Sequence, residues 1–258
     1  MQLAEKSILV TGSTTGIGEA IARCACREGA NVMLHGREVE RGHALVAELG
    51  PQARFVVGDL SDAAVPATLV QAAFEAFGRL DGIVNNAAWV VRSDIETTDA
   101  ALFDKVLATN VRAPFLLIQA ALPYLKESRG CVLNIGSINA YTGESNLLAY
   151  SVSKGALMTL SRNLADALCY DGVRVNHFNV GWVLTPNEYH YKLNDGLPAD
   201  WPDHVPAQFA PRGRLMKPEE IAAAAIYWLS NASRPFSGSV IDLEQYPFVG
   251  RNPTKRGD

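Results

Sequence analysis

Residues 11–18 read Thr11-Gly12-Ser13-Thr14-Thr15-Gly16-Ile17-Gly18, and they stand between a short apolar run and a long helical pattern. Glycines allow the backbone to turn tightly and to approach a ligand closely. The first N–H groups of the following helix have no partner inside the helix, and together with the helix dipole they attract an anion. The segment therefore predicts a turn that binds the pyrophosphate of a dinucleotide, with a tight turn that binds nothing as the alternative.

The rest of the chain alternates short apolar runs with helical patterns. The apolar runs are residues 8–10, 32–34, 55–57, 82–84, 131–135, 173–179 and 240–243. Strands separated by helices of this length indicate βαβ units, whose sheets are parallel and covered on both faces. We predict one α/β domain over residues 1–258, a single Rossmann-type, doubly wound parallel sheet of about seven strands. Ligands bind such sheets beyond the carboxyl ends of the strands.

The helical patterns cover residues 17–28, 38–49, a stretch ending near 77, 99–125, 149–170 and 218–229. Residues 182–216 interrupt the alternation and are rich in proline and aromatic residues, so we predict a long substrate loop there, with an ordinary lid or a subunit contact as the alternative. Residues 244–258 form a predicted C-terminal tail. It carries Arg251, Lys255 and Arg256, and we expect it to pack across a subunit contact.

Composition excludes several classes of protein. The chain has 48% hydrophobic and 19% charged residues and a net charge of −4, with no basic block for nucleic acid or for a membrane surface. The longest apolar run, near residues 115–125, is too short to span a bilayer, and we expect no signal peptide. The histidines of residues 182–216 lack tight ligand spacing, so no metal site is predicted. We expect a cytoplasmic protein whose four cysteines are reduced.

The spacing of the glycine turn, with three residues between Gly12 and Gly16 and one before Gly18, resembles the simple branch of the short-chain dehydrogenase/reductase family. Further marks of that family follow in order along nearly the whole chain. They are Asp59-Leu60, Asn85-Asn86-Ala87-Ala88, Asn110, Ser137 and Tyr150-Ser151-Val152-Ser153-Lys154. Two positions depart from the family pattern, because Ala88 replaces a glycine and Val180 replaces the proline that usually precedes Gly181.

The resemblance implies an enzyme with four catalytic residues. Tyr150 would be the general acid/base, and Lys154 would lower the pKa of Tyr150 and bind the nicotinamide ribose. Ser137 would hold the substrate oxygen, and Asn110 would anchor a water that links Lys154 to solvent. Tyr150 and Lys154 are four positions apart, so they share one face of a helix. A cation close to a phenol favours the phenolate.

The resemblance also implies the residues that bind the cofactor. They are Gly12, Ser13, Thr15, Gly16, Ile17, Gly18, Arg37, Asp59, Leu60, Asn86, Ala87, Tyr150, Lys154, Val183 and Thr185. The second strand ends in His35-Gly36-Arg37, without the acid that binds the ribose 2′-hydroxyl of NAD. Because a guanidinium forks onto a phosphate, Arg37 favours NADP(H), with NAD(H) as the alternative cofactor.

We therefore predict hydride transfer between NADP(H) and a carbonyl or secondary alcohol of a small polar substrate such as a sugar or polyol. A 3-oxoacyl-thioester reductase is the alternative enzyme, and a non-catalytic NADP(H)-sensing regulatory protein is the alternative of another class. The resemblance further implies a homotetramer or homodimer. We expect a small-molecule substrate as the partner, and neither nucleic acid nor a membrane.

Overall fold

The computed structural model describes residues 1–248, so Arg251, Lys255 and Arg256 of the predicted tail lie outside the described residues. Within that range seven strands form one parallel sheet. The strands are β1 (Ser7–Val10), β2 (Asn31–Gly36), β3 (Ala53–Val57), β4 (Gly82–Asn85), β5 (Cys131–Ile135), β6 (Arg174–Val180) and β7 (Val240–Leu243). The predicted fold class, a doubly wound parallel α/β sheet, is confirmed.

Helices connect the strands on both faces of the sheet. They are α1 (Gly16–Arg27), α2 (Val39–Leu49), α3 (Val65–Phe77), α4 (Ala100–Leu107), α5 (Ala113–Ser128), α6 (Asn139–Thr142), α7 (Leu148–Ala167), α8 (Pro186–Asn194) and α9 (Pro218–Leu229). Short 3₁₀ turns occur at Gly50–Gln52, Cys169–Asp171, Trp201–His204 and Asn231–Ser233. Most bounds lie within one to three residues of the sequence patterns.

The strand order β3-β2-β1-β4-β5-β6-β7 places β1 between β2 and β4. Val10, the last residue of β1, aligns with Leu34 of β2 on one side and with Val84 of β4 on the other. The chain leaves β1 towards one half of the sheet and returns to build the other half. The order therefore reverses at the carboxyl end of β1, where parallel sheets form a ligand-binding crevice.

Alternate strand residues enter two separate core layers, as a sheet covered on both faces requires. Ile8 and Val10 belong to the layer beneath α1, α2 and α9, whereas Leu9 belongs to the layer beneath α3, α5 and α7. All three side chains are essentially buried. These two layers hold the strand ends rigidly, and the loops that follow them carry the candidate site.

The helical stretch Ala100–Ser128 is long and apolar enough to cross a membrane, judged by length and composition alone. Its apolar residues Leu117, Ala121 and Leu125 are fully buried in the core layer under the sheet. Core helices pass the same test, so we interpret the stretch as a core helix of this fold.

The predicted helix 99–125 contains a π turn at Ala108–Arg112 between α4 and α5, which the sequence pattern did not predict. Pro114 lacks the N–H that would bond to the carbonyl of Asn110 in a regular α-helix. The helix instead widens by one residue just before the proline, a shape common at functional sites. Asn110 lies in this π turn and is 1% exposed.

The prediction of a continuous loop over residues 182–216 is wrong in part, because α8 lies inside it. Thr185 caps this helix, since its hydroxyl accepts a hydrogen bond of 3.1 Å from the Glu188 N–H. Pro186 occupies the first helical position, which it favours. The pattern Thr185-Pro186-x-Glu188 is a helix-start signal. The loop also has a small core of its own, in which the Trp201 and Trp182 rings stack 5.7 Å apart.

Candidate active site

The glycine turn between β1 and α1 forms one wall of a cleft. Gly12 and Gly16 have φ angles of +61° and +59°, which favour glycine. A Cβ on Gly12 would lie 2.9 Å from the Ala87 Cα. The hydroxyl of Thr15, which precedes α1, is buried and has no hydrogen-bond partner within residues 1–248. A spare buried hydroxyl beside the free N–H groups of α1 fits an anionic group, so the residues present fit a dinucleotide.

His35, at the end of β2, supports the glycine turn through hydrogen-bond contacts of its ring with the backbone. Its Nδ1 accepts a hydrogen bond of 3.3 Å from the Gly12 N–H, and its Nε2 lies 3.1 Å from the carbonyl oxygen of Gly58. The neutral tautomer with hydrogen on Nε2 satisfies both contacts. Burial lowers the pKa of His35 to about 4. Sequence analysis quoted His35 as the strand end and did not assign it this supporting position.

Ten of the predicted cofactor residues line the cleft above this turn. They are Gly12, Thr15, Gly16, Ile17, Arg37, Asp59, Leu60, Asn86, Ala87 and Thr185. Three others lie behind its surface. The buried Ser13 hydroxyl accepts a hydrogen bond of 2.9 Å from the His35 N–H, Gly18 lets the Gly12 carbonyl approach closely, and Val183 is buried in the core.

The far end of this cleft carries charged groups that follow β2 and β3. Arg37 is exposed at the rim, and Glu38 and Lys105 also line this end. A hydrogen bond from the Ser61 N–H lowers the pKa of the Asp59 carboxyl below its usual value, and the charges of Arg37 and Lys105 act in the same direction. The Arg37 guanidinium and the Lys105 ammonium could therefore bind an anionic group at this end of the cleft.

Three side chains predicted to be catalytic come together at the floor of an adjoining cleft. Ser137 follows β5, and its hydroxyl acts on the phenol of Tyr150 on α7, where it favours the phenolate. One turn further along α7, the buried Lys154 Nζ lies 5.5 Å from the centroid of the Tyr150 ring. This ammonium donates a hydrogen bond of 2.8 Å to the carbonyl oxygen of Ile135.

The pKa values of this pair differ from the sequence-based expectation. Burial raises the pKa of Tyr150 to about 12; the Ser137 hydroxyl favours the phenolate, and the Glu188 and Glu144 carboxylates disfavour it. Burial lowers the pKa of Lys154 to about 8. The Lys154 ammonium donates to a backbone carbonyl, and the expected lowering of the Tyr150 pKa is not found, because burial dominates. The phenol thus keeps its proton at neutral pH and is set to donate it.

Asn110 contacts the backbone of the loop after β4. Its Oδ1 accepts a hydrogen bond of 2.8 Å from the Trp89 N–H, and its Nδ2 donates to the Trp89 carbonyl at 3.1 Å and to the Ser153 hydroxyl at 3.0 Å. The Ser153 hydroxyl in turn donates to the Tyr150 carbonyl at 2.6 Å. Asn110 therefore ties the loop after β4 to the helix that carries Tyr150. The water that the family resemblance assigns to Asn110 stays a prediction.

The cleft above Tyr150 has a volume of about 520 Å³, a usual size for a small-molecule site. Its polar and aromatic walls include Arg92, Glu144, Trp182, Glu188, Lys192 and Glu244. The Glu244 carboxylate accepts a hydrogen bond of 3.1 Å from the Trp182 N–H. A Cβ on Gly181 would collide with that carboxylate, so Gly181 makes room for it.

Sequence analysis did not identify Arg92, Glu144 or Lys192 as site residues. They come from three segments far apart along the chain, and no local motif marks them. The helix-start signal at Thr185 is the one local pattern that could have predicted the position of Lys192. A helix that begins there places Lys192 one turn after Glu188 and on the same face.

Comparison with known proteins agrees with this geometry. The family model described as enoyl-(acyl carrier protein) reductase matches residues 12–244. The chain is 36% identical over 230 residues to an L-fucose dehydrogenase of Mus musculus, covering 88% of this chain and 83% of that one.

Two solved structures share the fold. A 3-oxoacyl-(acyl-carrier-protein) reductase from Agrobacterium tumefaciens with NADP bound has a TM-score of 0.85 and 31% identity, covering 93% of each chain. A 3-ketoacyl-(acyl-carrier-protein) reductase from Brucella melitensis complexed with NADH has a TM-score of 0.82 and 29% identity, covering 93% of this chain and 97% of that one. The structures similar to this chain thus include one with each nicotinamide cofactor.

Proposed function

The chain belongs to the short-chain dehydrogenase/reductase family, and on that premise we propose that it is an oxidoreductase acting on a sugar or polyol with NADP(H). The observation that carries the proposal is that Tyr150 and Ser137 line one cleft, which adjoins the glycine-turn cleft. Val90, Glu188 and Tyr191 line both clefts. A substrate carbon and a nicotinamide ring therefore have room to meet beside Tyr150.

The nicotinamide, when bound, supplies or accepts the hydride. The proton is handled by this chain. Tyr150, protonated at neutral pH, donates its proton to a carbonyl oxygen during reduction and is left as a phenolate. In the oxidation direction the phenolate form takes the proton from the alcohol. The Ser137 hydroxyl is both donor and acceptor, so it can bond to the substrate oxygen in either state. Lys154 holds a positive charge beside the Tyr150 ring, which stabilises negative charge as the phenolate forms.

Two features at the end of β2 support NADP(H). Gly36 leaves no side chain there, and a Cβ on it would lie 2.6 Å from the Thr14 side chain. Arg37 lies at the rim, where its guanidinium would meet a 2′-phosphate on the adenosine ribose. Glu38 lines the same end, and a carboxylate is the group that would bond to the 2′-hydroxyl of NAD(H).

We expect Arg37→Ala to weaken NADPH binding about 10- to 100-fold, because hydrogen bonds to charged groups contribute about 1.5–3 kcal/mol. NADH binding should stay within about twofold, since NADH lacks the 2′-phosphate. Fluorescence titration of both proteins with both cofactors measures the four dissociation constants. Equal loss of NADPH and NADH affinity, or tighter NADH binding by the unmutated protein, would overturn the preference for NADP(H).

The sugar or polyol substrate is supported by the walls of the Tyr150 cleft. Carboxylates accept hydrogen bonds from hydroxyl groups, and the Trp182 and Phe209 rings, 6.1 Å apart, offer apolar faces. The similarity to an L-fucose dehydrogenase points in the same direction. The 3-oxoacyl-thioester reductase is the second candidate, favoured by the names of the two solved structures. The carboxylates of the cleft disfavour its acidic carrier.

One panel tests both candidates. The purified protein is given NADP⁺ with L-fucose, glucose and ribitol, and NADPH with acetoacetyl-coenzyme A, and absorbance at the nicotinamide band is followed. We expect turnover of at least one sugar or polyol at a kcat/KM more than tenfold above that of the thioester. Turnover of the thioester alone would support the second candidate. NADPH binding without turnover of any compound would support the sensing protein.

A further inference from the structure

The Glu188 carboxylate lines the Tyr150 cleft and acts on the Tyr150 phenol, and it has no part in the proton transfer proposed above. Its Oε1 accepts a hydrogen bond of 2.8 Å from the Trp182 indole N–H and lies 4.0 Å from the Lys192 Nζ. Its Oε2 has no hydrogen-bond partner within residues 1–248. The side chain is 25% exposed. One oxygen is thus fixed by the protein and the other is available to a ligand in the cleft.

The position of Glu188 is fixed relative to the cofactor cleft. Glu188 lies in the first turn of α8, and its N–H donates to the hydroxyl of Thr185, the residue that caps the helix. Thr185 packs on the glycine turn, since a Cβ on Gly16 would lie 3.2 Å from the Thr185 Cγ2. Glu188 therefore cannot move far without moving the wall of the cofactor cleft.

Glu188 is also close to the reacting centre. It lines the cofactor cleft and the Tyr150 cleft together, and its charge acts on the phenol of Tyr150. A substrate whose oxygen contacts Tyr150 and Ser137 would extend its neighbouring carbon towards this carboxylate. A hydroxyl on that carbon would find an acceptor oxygen without another partner.

We propose that Glu188 is a specificity-determining residue whose Oε2 accepts a hydrogen bond from a substrate hydroxyl next to the reacting carbon. This inference rests on the proposed function and narrows its substrate class to compounds with a hydroxyl on the carbon beside the reacting one. A substrate analogue without the neighbouring hydroxyl would leave the Glu188 Oε2 buried against it without a hydrogen bond. Enzymes whose sites bind a substrate hydroxyl in this way strongly reject analogues that lack it.

The same carboxylate makes the cleft unfavourable for anions. The two cations that line it are already engaged, because Arg92 bonds to Asp195 at 2.7 Å and Lys192 lies 3.7 Å from the same carboxylate. Glu144 and Glu188 add negative charge around them. An uncharged polyhydroxylated compound avoids the repulsion that a carboxylate or phosphate near Tyr150 would meet.

Glu188→Gln tests the proposal, since glutamine keeps the size of the side chain and its bond to Trp182. The probes are two pairs that differ by the hydroxyl next to the reacting carbon: glucose with 2-deoxyglucose, and butane-2,3-diol with butan-2-ol. The anion 3-hydroxybutyrate is the fifth probe. Glu144→Gln is the matched control, because Glu144 also lines the cleft and acts on Tyr150, but both of its oxygens have protein partners. Its Oε2 accepts a hydrogen bond of 3.1 Å from Asn139, and its Oε1 lies 3.9 Å from the Arg92 guanidinium.

We expect the unmutated protein to prefer the hydroxylated member of at least one pair at least tenfold in kcat/KM. Glu188→Gln should reduce that preference about tenfold, mostly through KM, and should raise the activity on 3-hydroxybutyrate. Glu144→Gln should leave the preference within about twofold. NADPH titration checks that both variants are folded.

The outcomes separate this inference from the proposed function. If the unmutated protein turns over none of these probes and none of L-fucose, glucose and ribitol, the proposed function fails and the inference with it. If it turns them over without preference, or if both variants change the preference equally, the proposed function stands. In either of those cases Glu188 does not select the substrate hydroxyl.

Discussion

Tyr150→Phe is expected to lower kcat by a factor of about 10²–10⁴, the usual contribution of a positioned general acid/base, while the dissociation constant for NADPH stays within about twofold. The change removes one hydroxyl and keeps the ring that packs beside Lys154. Without that hydroxyl, neither Ser137 nor the buried Lys154 ammonium can deliver a proton to the substrate oxygen from the same position. Steady-state rates and NADPH fluorescence titration measure the two quantities.

Tyr141→Phe provides the matched control, since it deletes the same atom from a tyrosine on the neighbouring helix α6. The Tyr141 hydroxyl donates to Asp242 at 2.9 Å, and Tyr141 lines neither cleft. We expect its kcat to stay within about twofold of the unmutated value. If Tyr150→Phe keeps more than a tenth of the activity, the phenol is not the proton donor and the assignment of roles must be revised.

The pKa values of Tyr150 and Lys154 show where sequence reasoning reaches its limit. Spacing alone predicts that the two residues share a helix face, and the structure places them so. The direction of the shift depends on atoms from other segments. The Ile135 carbonyl attracts the ammonium, and burial, with two carboxylates acting in the same direction, raises the pKa of the phenol. No local pattern encodes those contacts.

The glycine turn was predictable in more detail, because its requirements are local. Gly12 and Gly16 need positive φ angles, and both lie within eight residues of a strand end and a helix start. The substrate cleft is different. Arg92, Glu144 and Lys192 meet only because the sheet brings the loops after β4, β5 and β6 to one edge, and single-sequence periodicity carries no information on such meetings.

Two buried histidines should make the protein lose stability steeply between pH 6.5 and about 4. Burial lowers the pKa of both His35 and His177 to about 4, whereas the unfolded chain has the ordinary value of about 6.5. Between these values the unfolded state binds the additional proton, so the stability present above pH 6.5 is lost as the pH falls. Each histidine contributes about 3 kcal/mol over this window, at about 1.4 kcal/mol per pH unit.

Burial is the main reason that protonation of both rings is unfavourable. At His35, a proton on Nδ1 would also face the Gly12 N–H, from which this nitrogen now accepts a hydrogen bond. At His177, the charge of Lys154 further disfavours the imidazolium, whereas the Asn179 Oδ1, 3.0 Å from Nε2, favours it without offsetting burial. The Glu220 carboxyl, whose pKa the Arg214 guanidinium lowers to about 2, loses its contribution as the pH falls from about 4.5 towards 2, so the measurement is kept at pH 4.5 and above.

The free energy of unfolding in urea, measured at half-unit steps from pH 7 to 4.5, checks this expectation. The slope of the unfolding free energy against pH reports the number of protons taken up on unfolding. A loss of stability that is the same at every pH does not change this slope. We expect His177→Gln to remove about one proton from that slope near pH 5. An unchanged slope in His177→Gln would mean that His177 is protonated equally in the folded and unfolded chains. The neutral form of His177 would then make no pH-dependent contribution to the free energy of unfolding.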